Sequence, residues 1–197
     1  YESFRRSFND VYAMEPEQLQ LGFLKVLKGS HMYEMAEQYG LVYRTLPPYE
    51  VLSTRWLSYG DVLKLKGIED MVEVYYNSGQ FTGTLKLLVE EFEDAFAMFE
   101  AMAAYYGENG LTGLNHSRLA RYEILHDLIC RIADGKCKAA VPLRAHPLRE
   151  YEDALMCDLY LRENAKSRPT FAPDQSPFKD QIRCLLYTSD AADEARS

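Results

Sequence analysis

Glu123 and His126 stand three residues apart in a segment with helical spacing, which puts a carboxylate and an imidazole on one face, one turn apart. In carboxylate-bridged metal bundles a Glu-x-x-His supplies two ligands, but such a site needs a second copy and two further glutamates. The chain has no second Glu-x-x-His, so the pair reads as a surface Glu–His contact. Cys130 follows His126 by one turn and Cys137 lies seven residues further on. That spacing matches no common zinc pattern. Cys130 falls on the apolar side of its helix and reads as a small core residue, as does Cys157. His31, His116 and His146 stand near turns with no visible partner. The run Glu90-Glu91-Phe92-Glu93-Asp94 invites a divalent cation, but its spacing makes it the solvated face of a long helix, with Phe92 pointing the other way. Tyr75-Tyr76 and Tyr105-Tyr106 read as helix-packing aromatics rather than the lining of a cofactor pocket. G-x-S-x-G, a Walker loop and G-x-G-x-x-G are absent, which leaves hydrolase, phosphoryl-transfer and dinucleotide chemistry without anchoring residues. What remains is Leu24-Lys25-Val26-Leu27-Lys28-Gly29-Ser30, a glycine turn directly after a strand-like run. Such a turn places backbone at the C-terminal mouth of an α/β barrel, where sites are built.

The elements that would position these residues follow from periodicity. Phe4, Phe8, Val11 and Tyr12 share one face of a short helix that Pro16 ends. Residues 18–27 form a near-continuous apolar run of strand length, as in a strand covered on both faces. Ser30 caps a helix through Tyr39, with Gly40 as its left-handed stop. Residues 41–46 and 51–56 are short extended pieces around Pro47-Pro48. From Ser58 onward the pattern is helical. One stripe runs through Val62, Leu65, Ile68, Met71, Val72 and Tyr75 to a stop at Asn77-Ser78-Gly79. The strongest runs from Leu85 through Phe92, Phe96 and Phe99 to Tyr106 as a single helix closed by Gly107. A third is capped by Ser117 and ends before Gly135, and a fourth follows Pro147. Four such stripes need each other to be buried, which makes residues 58 to about 166 a helical bundle.

Composition narrows the function classes. The chain has 197 residues, 47% hydrophobic and 13% aromatic, enough for a substantial core. Twenty-two basic against thirty acidic residues give a net charge of −8 with no concentrated basic face, which disfavours nucleic acid as a partner. No apolar stretch approaches the length of a bilayer span and no leader pattern opens the chain, so no membrane partner is expected. Four scattered cysteines suit a reducing, cytoplasmic setting. Residues 184–197 break with what precedes them and resemble a translated transposase-end sequencing adapter. Without them 21 basic residues face 27 acidic ones. Together with Tyr rather than Met at position 1, this makes the chain an expected internal fragment of a longer protein.

Several motifs together resemble a known family. Ser7-Phe8-Asn9-Asp10, the run from Gln18 to Ser30, Gly40-Leu41-Val42-Tyr43-Arg44 and Pro47-Pro48-Tyr49-Glu50-Val51-Leu52 are similar to the C-terminal half of radical SAM proteins with a cobalamin-binding domain. These are the members bearing a helical C-terminal domain of unknown function of the DUF4080 kind. The resemblance continues through Trp56-Leu57-Ser58 and Tyr75-Tyr76-Asn77-Ser78-Gly79 to about Arg183.

The resemblance implies a fold that is mainly α with a small α/β part. Residues 1–57 would be the remnant of a partial (β/α)6 radical SAM barrel, residues 58–183 an all-helical C-terminal domain and residues 184–197 an artefactual tail. It implies an enzyme that uses a [4Fe-4S] cluster on a C-x-x-x-C-x-x-C loop to cleave S-adenosylmethionine for radical chemistry on an unknown small-molecule or peptide substrate, with cobalamin as a further cofactor. That loop and the cobalamin domain would belong to N-terminal domains of the same chain, the expected partners. The fragment alone is therefore expected to bind no cofactor and to be inactive. Residues 18–27 would be the sixth barrel strand, whose end supports the adenine of S-adenosylmethionine through backbone groups. On this sequence that wall falls to Leu24, Lys25 and Val26. His31 departs from the family pattern, where proline is common. The alternative is a non-catalytic helical module for docking or dimerisation.

Overall fold

The structure, a computed structural model, describes residues 1–136, 143, 145–162 and 167–174, the side chain of Arg162 excepted. Cys137, Cys184 and the adapter-like segment 184–197 lie outside the described residues. Among those described, the fold is mainly helical with one small antiparallel sheet. Helix α1, Glu2–Tyr12, forms where the sequence predicts it. Phe8 meets Phe96 and Phe99 edge to face, with ring centroids 5.5 and 5.8 Å apart.

Residues 18–27 differ from the expected strand. The run is extended, but only Lys25 pairs, in an antiparallel bridge with Glu50. The reason lies in where its backbone groups find partners. The Leu19 N–H and C=O are both taken by the side-chain amide of Asn77, at 2.9 and 3.0 Å. The Val26 N–H donates to the Tyr49 carbonyl and the Val51 N–H to the Leu24 carbonyl. Cover is one-sided as well: Leu19, Leu21 and Val26 are buried while Leu24 and Leu27 stay exposed.

Ser30 caps the next helix by accepting from the Tyr33 N–H, but α2 is only His31–Glu34. Turns continue the coil to Gly40, at φ +58°. There the Leu41 N–H reaches the Ala36 carbonyl and the Gly40 N–H the Glu37 carbonyl, so Gly40 closes these turns, while the helix it was expected to stop has already ended at Glu34. Strands β1, Val42–Tyr43, and β2, Val51–Ser53, are the two extended pieces, joined across a cis Pro47-Pro48 bond.

Helix α3, Tyr59–Met71, begins with a capping box between Ser58 and Asp61 and passes into a π-helical turn, Val72–Asn77. Helix α4, Thr82–Leu88, ends in a 3₁₀ turn, Val89–Glu91, and α5 starts afresh at Ala95–Glu108. The single long helix expected over 85–106 is thus broken at Phe92, whose backbone is extended. Two contacts from α1 favour the break. Arg5 binds Glu93 and Asp94 at 2.8 and 2.7 Å, and Asn9 Oδ1 accepts from the Phe96 N–H. Asp94 itself accepts from the Ala97 N–H as a new helix cap. Gly107 lies inside α5, and Gly110, at φ +65°, supplies the stop. Helices α6, Arg118–Ala133, capped by Ser117, and α7, Leu148–Arg162, follow the predicted stripes. Helix α3 packs on α5, and α7 crosses α4 and α6. One core joins them, with Tyr75, Phe81, Phe96, Phe99, Tyr122 and Tyr151 fully buried.

Within the acidic run Glu90 and Glu93 are exposed as expected, but Glu91 is a fastener. Glu91 is buried, accepts from the Tyr151 hydroxyl at 2.7 Å and also takes the Ala145 and His146 N–H groups. His146 is not alone either: Nδ1 lies 2.8 Å from Glu150 and Nε2 3.3 Å from Glu90, with the Tyr151 ring edge-on. Those hydrogen bonds, led by Glu150, raise the His146 pKa above its ordinary 6.5. A raised folded-state value means that stabilisation is complete below pH 6.5 and is lost as pH rises through the higher folded value. We therefore expect the thermal midpoint to fall from about pH 6 to about pH 8. His146→Gln should flatten that dependence, and high salt should weaken it.

Candidate functional site

Leu24, Lys25 and Val26 form one side of a narrow three-segment sheet. The hairpin residue Glu50 sits in its middle, bridged to Lys25 on one side while its carbonyl accepts from the Arg44 N–H on the other. The bonds that flank the Lys25–Glu50 bridge run from Val26 and to Leu24, so Lys25 and Glu50 are the non-hydrogen-bonded pair of this ladder. In that geometry the N–H and C=O of Lys25 point away from Glu50, toward an edge where no hydrogen bond reaches them among the described residues. Glu50 is tied down by Lys66 at 2.5 Å, a contact that lowers its carboxyl below the usual range and fixes the hairpin against α3.

Leu24 also lines a groove of about 590 Å³ between α1 and the hairpin. Met32, Tyr39, Leu41 and Trp56 form its far wall, and Tyr1 and Phe4 its near one. Trp56 is 65% exposed and its ring leans on Tyr39 at 5.7 Å. Val26, by contrast, is 1% exposed and turns into the protein. The structure therefore gives the three residues separate positions: Leu24 in the groove wall, Lys25 as open backbone and Val26 as the anchor. Sequence reasoning missed Trp56 and Tyr39 as groove residues. The available signal was two aromatics flanking a hairpin in an extended region with little else to bury them.

The other candidates fall elsewhere. His126 bonds Glu152 of α7 at 3.2 Å and stacks on Phe171 at 4.2 Å, while Glu123 accepts from the Thr170 N–H. The Glu–His pair is thus split between two separate tethers. Cys130 is half-buried, with Sγ 3.6 Å from His126, and burial raises its thiol pKa. Cys157 is exposed on α7, against the core position expected for it. His31 faces Glu34, and His116 bonds the Leu111 carbonyl at 3.0 Å. The tyrosine pairs pack as expected: Tyr75 meets Tyr106 hydroxyl to hydroxyl at 2.7 Å, and the Tyr105 hydroxyl donates to Asp127. Burial raises the Tyr75 and Tyr105 pKa values further, so both stay protonated. Among the described residues no three His, Cys, Asp or Glu side chains converge as for a metal ion, and no helix is long and apolar enough to cross a membrane.

The fold and site define a mainly helical protein whose small antiparallel sheet keeps one edge open beside an apolar groove. Residues 37–195 match the family model for DUF4080, described as a protein of unknown function, and the chain belongs to that family. The matched span runs into the adapter-like segment 184–197. No curated protein and no solved structure matches the chain.

Proposed function

We propose that this chain is the C-terminal part of a cytoplasmic radical SAM enzyme, with Leu24, Lys25 and Val26 as a wall for the adenine of S-adenosylmethionine. One observation carries the reading: the Lys25 N–H and C=O lie unbonded on an open edge, next in sequence to Leu24 in the wall of an apolar groove. A purine presents both donors and acceptors along one edge and an apolar face, and this combination matches both. Trp56 and Leu24, which line the groove, would supply the apolar contact, and the Lys25 backbone the polar one. The iron cluster does not fit the described residues, which hold no converging set of thiolates. It belongs, on this reading, to N-terminal domains of the same protein, as does any cobalamin, and residues 184–197 take no part. The cluster supplies the electron for cleaving S-adenosylmethionine; this segment orients the nucleotide and keeps water from it.

The test is to express the full reading frame in which this sequence lies, reconstitute its cluster without oxygen, add reductant and measure 5′-deoxyadenosine. Turnover-dependent formation is expected. A reconstituted protein that forms none would overturn the assignment.

A further inference from the structure

A second cavity, of about 410 Å³, lies between α3, the π-helical turn, the end of α5 and the loop that leads into α6. It shares no lining residue with the groove. Glu73 of the π-helical turn lines it, holding the Asn77 side-chain amide at 2.8 Å, and the other two charged side chains are of opposite sign: Arg121 of α6 and Asp70 of α3. Neither of these two side chains makes an ion pair or hydrogen bond among the described residues, and they do not pair with each other. Partial desolvation raises the Asp70 carboxyl above its usual range, against the lowering effect of Lys66. The Arg121 guanidinium is close enough to the Tyr75 and Tyr106 hydroxyls to lower both pKa values against the effect of burial.

The tyrosine pair adds a hydroxyl at the cavity wall. Tyr75 Oη lies 2.7 Å from Tyr106 Oη and 3.5 Å from the Arg121 carbonyl, and either hydroxyl of the pair can be the donor between them. Where Tyr75 donates to Tyr106, the Tyr106 proton is left for a ligand in the cavity that Tyr106 lines. His116 is fixed beside it, Nε2 on the Leu111 carbonyl and its ring edge-on to Tyr106 at 5.8 Å. Met71, Val74, Leu111 and Leu114 complete the lining with apolar surface.

We propose that this cavity binds a small apolar α-amino acid, its carboxylate on Arg121 and the Tyr106 hydroxyl, its ammonium on Asp70 and its side chain against Met71, Val74 and Leu114. A guanidinium and a phenol suit a planar carboxylate, and a facing carboxylate selects against acids that lack the amine. The volume is at the small end for ligand pockets, which suits a single amino acid. The inference stands apart from the radical SAM reading.

Calorimetric titration of the full chain with L-leucine, 4-methylpentanoate and 3-methylbutylamine tests it. Leucine should bind saturably, and each half-probe about tenfold or more weakly, because each leaves one charged group unmatched. Arg121→Gln should abolish leucine binding. Asp70→Asn, at an exposed position that leaves the fold intact, should bring leucine down to the level of 4-methylpentanoate and so decides the matter should Arg121→Gln not fold. No saturable leucine binding, binding of 4-methylpentanoate as tight as that of leucine, or leucine affinity unchanged in Asp70→Asn would overturn the proposal.

Discussion

Asp158→Ala should lower the thermal midpoint by roughly 10 °C. Asp158 is a carboxylate of α7, 6% exposed, that accepts three hydrogen bonds: from the Gly83 N–H at 2.9 Å, the Thr84 N–H at 2.8 Å and the Thr84 hydroxyl at 2.8 Å. Those amides open α4, whose own cap position, Phe81, has no side chain able to accept them. A residue 74 positions away therefore caps the helix, and the carboxylate is balanced by the positive end of the helix it caps. Gly83 is part of the arrangement, since a Cβ there would stand 3.1 Å from the Asp158 carboxylate. Alanine leaves three donors unsatisfied in or beside the core, a loss of about 3 kcal/mol. At roughly 2–4 °C per kcal/mol for a chain of this size, that gives the shift stated. Asp158→Asn keeps one acceptor oxygen and should lose about half as much. Differential scanning calorimetry of the two variants checks both values, and equal midpoints for the variants and the parent would show that the cap is not needed.

This long-range cap illustrates why part of the fold was legible and part was not. Ser30 and Ser117 act on amides three residues away, and both caps lie where the sequence puts them. The stripe through Val62, Leu65, Ile68, Met71, Val72 and Tyr75 is buried as its spacing requires. These features are local, so a window of a few residues contains their causes. The break at Phe92 is different, because the groups that hold it open, Arg5 and Asn9, come from α1. Periodicity alone favours one continuous helix there, and tertiary hydrogen bonds override it. Tyr151, the partner of Glu91, and Glu90, one of the two partners of His146, also lie far off in sequence, whereas Glu150 stands four residues from His146 and was within reach of a local reading.

The candidate site divides the same way. A glycine turn after an apolar run marked the segment around Lys25, and its capping serine was readable. What the run pairs with was not, since Asn77 and Tyr49 reach it from outside any local window. Near-continuous apolar character suggested cover on both faces, whereas Leu24 and Leu27 remain exposed among the described residues. On the proposed reading those side chains face the rest of the enzyme, and a patch with Trp56 beside it would be covered there.

The second large effect concerns that edge. If the Lys25 backbone holds adenine, the side chain should be dispensable and the N–H should not. Lys25 is exposed, so Lys25→Ala removes only side-chain atoms that no part of this account uses. Lys25→Pro deletes the outward N–H while sparing the bonds made by Val26 and Val51, which lie on the other edge. Loss of one buried hydrogen bond to the nucleotide corresponds to roughly 10- to 100-fold in affinity. The measurement is the dissociation constant for S-adenosylmethionine of the full-length, cluster-reconstituted protein and its two variants, each checked for an unchanged thermal transition. Lys25→Ala is expected to bind within about twofold of the parent and Lys25→Pro at least about tenfold more weakly. Equal affinity in all three proteins, or a loss in Lys25→Ala as large as in Lys25→Pro, would contradict that role of the backbone.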